Sequence, residues 1–175
     1  MFQEERDELQ FDWCMLGNIE DGRPTLGSDT AVAVYRLMQF TLRDALIKEY
    51  GVEAADRIFY TAGRKAGLEL FRNNASDCKT FNELVHKLCE LFLTLKVGIF
   101  RVEGANHKRN EYVFTVAEDL DCSGLPVSEE TVCTYDEGLI AGILYGFTGK
   151  EFDVREIDCW CSGERICRFD VKPKK

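Results

Sequence analysis

From residue 32 to residue 95 the apolar positions of the chain fall three or four apart. Val32, Tyr35, Met38, Leu42, Ala45 and Leu46 share one face as far as Gly51, the pattern of an amphipathic helix that stops at a glycine. Ser28 and Asp29 stand before it as the expected N-cap. A second helix is predicted from about Glu53 to Asn73, with Ala55, Ile58, Phe59, Ala62, Ala66, Leu70 and Phe71 turned inward. Gly63 and Gly67 lie on one face of it. Each costs roughly 1 kcal/mol of helix stability relative to alanine, so the pair points to close approach of another backbone ahead of a ligand. Thr80-Phe81-Asn82-Glu83 has the form of a capping box, and Leu84, Leu88, Leu91, Phe92 and Leu95 continue a third helix behind it.

The period changes at Val97. Ile99, Phe100 and Val102 lead into the turn Asn106-His107-Lys108-Arg109-Asn110, and the β-branched and aromatic run Tyr112 to Val116 returns, which predicts a hairpin. A last helix is expected from about Glu137 to Phe147, with Gly138, Gly142 and Gly146 along one edge. No Lys-Ser or Lys-Thr follows these glycines, which excludes a phosphate loop. Their smooth edge is suited to close packing on either the sheet or a second subunit. Two final strands, near Phe152 to Trp160 and Ile166 to Val171, bracket the turn Ser162-Gly163-Glu164. Toward the start of the chain, Phe11 to Leu16, the turn signal Glu20-Asp21-Gly22-Arg23-Pro24 and Thr25-Leu26 suggest a short hairpin or extended segment. The pattern is that of an α+β fold, an antiparallel sheet with helices packed on one face. Its expected organisation is an N-terminal extension over 1–19 and a single domain over 20–175.

Composition narrows the choice of partner. The 175 residues carry 22 Lys and Arg against 31 Asp and Glu, a formal charge of −9, and the one basic run is Lys172-Pro173-Lys174-Lys175. Grip on a nucleic acid needs clustered cations, so direct DNA or RNA binding is not expected. The opening MFQEERDELQ is charged where a secretory signal is apolar, and no stretch approaches a membrane span. A cytoplasmic location is therefore expected, with no membrane partner.

In that compartment eight cysteines read first as metal ligands or redox groups and only second as disulfides. Cys14, Cys78 and Cys89 are scattered and read as core residues, while Cys122, Cys133, Cys159, Cys161 and Cys167 crowd the last third. A hairpin turning at Ser162 to Glu164 brings Cys159 and Cys167 onto neighbouring strands, a geometry that suits two thiolates on one metal. Cys133 is the distant ligand that needs least rearrangement. Glu156, three residues before Cys159, points to the opposite face of an ideal strand and reaches the same metal only through a bulge. Buried cysteines are also ordinary small hydrophobes, and that reading stays open.

Asp121-Cys122-Ser123-Gly124, Thr131-Val132-Cys133-Thr134-Tyr135-Asp136-Glu137-Gly138 and the ending Cys159-x-Cys161-x-Gly163-x-x-x-Cys167-x-Phe169 resemble the vinyl-4-reductase domain family. Ala33 to Leu37 and Ala62-Gly63-Arg64-Lys65-Ala66-Gly67 are similar to its first two helices, so the likeness runs over roughly residues 20 to 172. Members are small-molecule-binding domains, some of them the sensor modules of xylene- and phenol-responsive activators, with a fold similar to the vesicle-tethering (TRAPP) subunits. The resemblance implies a structural zinc held by Cys133, Glu156, Cys159 and Cys167, with Cys161 and then Cys122 as substitutes, and Trp160 as its shield. Four protein ligands leave no position for an activated water, so the metal predicts no hydrolysis.

The resemblance also implies an apolar pocket between helices and sheet for an aromatic or hydrocarbon-like ligand. Tyr112 and Phe114 are the candidate contacts, and His86 is either near such a pocket or a solvated surface residue. Sensor relatives are dimeric, which implies a homodimer here. The expected function is ligand sensing or carriage through a regulatory partner protein. The alternatives are reduction of a vinyl group on a tetrapyrrole, against which no dinucleotide fingerprint or nucleophile-base pair is seen, and a tethering scaffold.

Overall fold

The computed structural model describes residues 11–174. The first ten residues of the expected N-terminal extension, and Lys175 of the basic tail, lie outside the described residues. The chain divides between Thr30 and Ala31 into two compact units. The first holds a 3-10 turn, Trp13–Leu16, capped by the Asp12 carboxylate, and a single helical turn, α1 (Ile19–Gly22), capped by the Asn18 side chain. These replace the hairpin expected there. Both turns start at an Asp or Asn whose side chain takes a backbone N–H two or three residues on, a local bond that competes with strand pairing. Cys14, expected in a core, is exposed.

The second unit opens with α2 (Val32–Tyr50) and α3 (Val52–Asn74), joined at Gly51. Gly51 adopts φ +83°, a left-handed conformation that ends the first helix and costs glycine nothing. The start of α2 differs from expectation. Its N-cap is Ala31, with no side-chain bond, and Ser28 and Asp29 remain outside the helix. α4 (Phe81–Thr94) begins with the expected capping box: Thr80 Oγ1 accepts from Glu83 N at 3.2 Å and Glu83 Oε2 accepts from Thr80 N at 3.2 Å.

The hairpin β1 (Ile99–Asn106) and β2 (Glu111–Ala117), then α5 (Thr134–Thr148), β3 (Phe152–Asp158) and β4 (Cys167–Pro173), complete the chain. The sheet is antiparallel throughout in the order β1-β2-β4-β3. Phe100, Tyr112, Phe114, Val116, Phe152, Val154, Phe169 and Val171 form its buried face, packed with Leu84, Leu88 and Phe92 of α4 and Ile140, Ile143 and Leu144 of α5 in one core. Helices thus cover one face of the sheet, as the alternation of buried and exposed residues along β3 requires.

The glycine edges of α3 and α5 meet each other, not the sheet or a second subunit. A Cβ built on Gly63 would stand 2.0 Å from Tyr135 O, and one on Gly67 2.0 Å from Leu139 O. From the other side, Gly138 and Gly142 would strike Tyr60 O and Arg64 O at 2.1 Å. Spacing of four residues keeps each pair on one helix face, so the two backbones lie in direct contact. That contact fixes the N-terminal end of α5, which carries Cys133.

Candidate metal centre

Four cysteines from separate parts of the chain converge beneath the sheet end. Cys133 is the N-cap of α5, Cys159 is the N-cap of the 3-10 turn Trp160–Ser162, Cys167 opens β4, and Cys122 lies in the loop after β2. All four are buried, and their Sγ atoms lie within 4.8 Å of one another. The Cys122–Cys167, Cys133–Cys167 and Cys133–Cys159 separations are 3.1, 3.7 and 4.0 Å. Four thiolates at about 2.3 Å around one tetrahedral ion stand roughly 3.8 Å apart. The cluster can therefore hold a metal ion with small side-chain adjustments.

Local bonds position the segments that carry these thiols. The Cys159 N–H donates to Ser162 Oγ at 2.9 Å, and the Ser162 hydroxyl donates back to Cys159 O at 2.8 Å. Asp119 Oδ1 accepts from the N–H groups of Asp121 and Cys122 at 2.8 and 3.3 Å. The same loop is clamped by α2: Arg36 donates to Leu120 O and Ser123 O at 2.8 and 2.9 Å. Tyr35 Oη and Gln39 Nε2 donate to the two Asp121 oxygens at 2.7 Å.

Glu156 stands beside the four sulfurs. A register shift in β3 between Glu156 and Asp158 supplies the bulge that the sequence called for. Glu156 Oε2 accepts from Cys133 N at 3.0 Å, and Oε1 has no hydrogen-bond partner. Cys161 is buried but outside the quartet, with its carbonyl taking the N–H groups of Ser128 and Glu129 at 2.9 and 3.1 Å. Trp160 donates its indole N–H to Leu125 O at 2.9 Å and carries the Arg165 guanidinium on its ring.

The electrostatics are those of crowded, buried acids. Hydrogen bonds from Cys122, Cys133 and Cys167 hold Cys159 far below the usual thiol range. Hydrogen bonding with Cys122 and other thiols, with burial, pushes Cys133 and Cys167 far up. The cluster thus favours one shared thiolate until a cation replaces the protons. Burial pushes Glu156 up to about 8, and burial with the neighbouring Asp121 pushes Asp119 up to about 7. Asp136, in the first turn of α5, is raised well above the carboxylate range by burial.

Residues 112–173 match the vinyl-4-reductase domain model. That stretch carries all four clustered thiols as well as Glu156. This part of the chain belongs to the vinyl-4-reductase domain family. Over 147 residues the chain is 26% identical to an uncharacterized protein of Methanocaldococcus jannaschii, covering 84% of this chain and 80% of that one. The phenol-responsive sensory domain of the transcription activator PoxR, solved with phenol, has TM-score 0.65 at 21% identity over 82% of this chain and 75% of its own. A vinyl-4-reductase family protein from Methanocaldococcus jannaschii has TM-score 0.58 at 19% identity, over 86% and 85%. Subunit 3 of a trafficking protein particle complex from Naegleria fowleri, covalently bound to palmitic acid, has TM-score 0.64 at 16% identity, over 82% and 95%. At these identities the structures share the fold, and the chain has the α+β architecture of the tethering subunits.

The sequence-derived ligand contacts fall in different surroundings. Tyr112 and Phe114 are buried on the covered face of the sheet, where Phe81 stacks on Tyr112 at 4.5 Å and Tyr112 on Phe114 at 5.6 Å. The void in that layer, lined by Leu88, Phe92, Phe100 and Phe114 among others, measures about 10 Å³, at most the room for one water. His86 is 79% exposed on α4 and pairs with Glu90 at 3.3 Å. A larger cavity of about 210 Å³ opens between α2 and α3, lined by Tyr35, Met38, Gln39, Leu42, Phe59 and Tyr135 among others. Sequence reasoning passed over Tyr35, Gln39, Asp119, Asp121 and Asp136. Acidic residues flanking Cys122 and Cys133 were a visible signal, but their burial was not. No helix among the described residues is long and apolar enough to cross a membrane.

Proposed function

We propose that this chain is a zinc-stabilised module that binds a small, mostly apolar molecule bearing a hydrogen-bond donor, and that it acts as a homodimer through a partner protein. Zinc suits the four-sulfur set Cys122, Cys133, Cys159 and Cys167, with Glu156 as the hydrogen-bonded neighbour of Cys133. Bound there, zinc supplies cross-linking alone, because four thiolates fill its coordination sphere. It would tie the loop after β2, the start of α5 and the start of β4 into one body.

The observation that carries the ligand reading is the cavity between α2 and α3. Its volume of about 210 Å³ exceeds the roughly 150 Å³ that accepts benzene in a dry protein interior. Gln39 directs its amide nitrogen to Asp121, which leaves Gln39 Oε1 buried without a partner on the cavity wall. Apolar walls with one unanswered acceptor favour an aromatic or hydrocarbon ligand with a hydroxyl over one without. The PoxR domain solved with phenol shares this fold, which supports the same class of ligand.

Met38 and Leu42 line the cavity and are also largely exposed, together with Val34 and Leu37. A second copy seated on this apolar side of α2 would close the cavity. Calorimetric titration with phenol and with toluene tests the reading. Phenol is expected to bind more tightly, Gln39→Leu to abolish that preference, and native mass spectrometry to find a dimer. Absence of phenol binding, or a preference that survives Gln39→Leu, sinks it.

A further inference from the structure

The buried negative charge around the four thiols exceeds what one divalent ion offsets. Asp119 and Asp136 are 2% and 6% exposed. Asp121 is answered on both oxygens by Tyr35 and Gln39, and Asp119 Oδ1 by two backbone N–H groups. Asp119 Oδ2 and Asp136 Oδ2 are buried without any hydrogen-bond partner. Arg36, the cation that acts on Asp121, directs its guanidinium at the Leu120 and Ser123 carbonyls. One carboxylate oxygen of Asp119, one of Asp136 and the Cys133 sulfur lie within 4.8 Å of one another.

We propose that Asp119, Cys133 and Asp136 hold a second divalent cation, with the Cys133 thiolate shared between it and the ion of the four-sulfur cluster. Two carboxylate oxygens and one thiolate form a mixed set, which favours a borderline ion such as zinc over the hard calcium and magnesium or the soft cuprous ion. Carboxylates without donors are costly in an interior, and a directly bound cation answers both at once. Asp136 also stands on the wall of a second cavity, of about 190 Å³, with Tyr35, Asp121 and Tyr135. That space admits water or a small oxygen donor as a further ligand. The second ion therefore keeps an exchangeable position that the four-thiolate ion lacks. Its place in the first turn of α5 ties any ligand exchange there to the helix packed on α3.

The inference rests on the zinc reading through Cys133, and elemental analysis separates the two. Protein loaded with zinc and passed through a chelating resin is expected to retain two ions per chain. Asp119→Asn and Asp136→Asn, each nearly isosteric, should retain one, while the exposed Asp153→Asn retains two. Cobalt titration should show two phases in the wild type, and in the Asn variants only the phase with intense sulfur-to-metal absorption. One ion per wild-type chain, or two in both Asn variants, overturns the second site and leaves the first standing. No ion in the wild type overturns both readings. Far-UV circular dichroism identifies an Asn variant that has not folded, and the wild-type stoichiometry then decides.

Discussion

Gly67→Ala probes the packing that positions the metal centre. Its new Cβ would lie 2.0 Å from Leu139 O and 2.8 Å from Leu139 C, where ordinary contacts begin at 3.4 Å. The obstacle is helix backbone, which cannot rotate aside as a side chain can, so α3 and α5 must part by about an ångström. Overpacking of this kind costs about 1–3 kcal/mol, and a backbone target puts it near the upper end. The substitution also gains about 1 kcal/mol of helix propensity. The net expectation is a loss of about 2 kcal/mol, or roughly 4–8 °C in Tm for a chain of this length. Urea unfolding followed by far-UV circular dichroism measures it, with an unchanged denaturant slope confirming a change in stability rather than in compactness. Gly104→Ala, whose Cβ would meet Val113 at an ordinary 3.7 Å, is the control and should change little. A Gly67→Ala variant as stable as the wild type, or more stable, would refute backbone contact between the two helices, because propensity alone predicts stabilisation.

Two further outcomes concern the thiols and acids. Cys122→Ser is expected to lower the metal content of the four-sulfur site and destabilise the fold, while Cys161→Ser leaves metal content unchanged; elemental analysis with thermal unfolding checks both, and the reverse pattern would move the site. In chelator-treated protein, burial holds Glu156 up to about 8 and Asp119 up to about 7. Carboxyls raised in the folded state stabilise fully below their unfolded range near pH 4 and lose that contribution as pH rises through 7 to 8. Urea midpoints should therefore fall from pH 5 to pH 8 without metal and much less with it, and equal slopes with and without metal would exclude cation compensation of these acids.

The local pattern was sufficient for the elements. Helical spacing across Val32 to Leu95, the capping box at Thr80, Gly51 as a stop and the final strand pair all express bonds within a few residues of one another, which sequence records directly. Where two local options competed the reading failed, as at residues 12 to 22, where side-chain caps won over strand pairing. The metal centre was half legible. Crowding of cysteines in the last third pointed to it, and the bulge needed at Glu156 exists, yet spacing alone could not rank Cys122 above Cys161.

Sequence by itself determined the helix and strand order, the antiparallel sheet, the glycine faces of two helices and a thiol-rich last third in an acidic chain. Tertiary structure decided what those faces meet, since a glycine edge says that something approaches closely and not what. It also decided which four sulfurs converge and which acids are buried beside them. Those facts depend on α2 reaching the loop after β2 through Tyr35, Arg36 and Gln39, more than eighty residues away. No periodicity encodes a contact at that separation; only the packed chain brings those charges out of water and together.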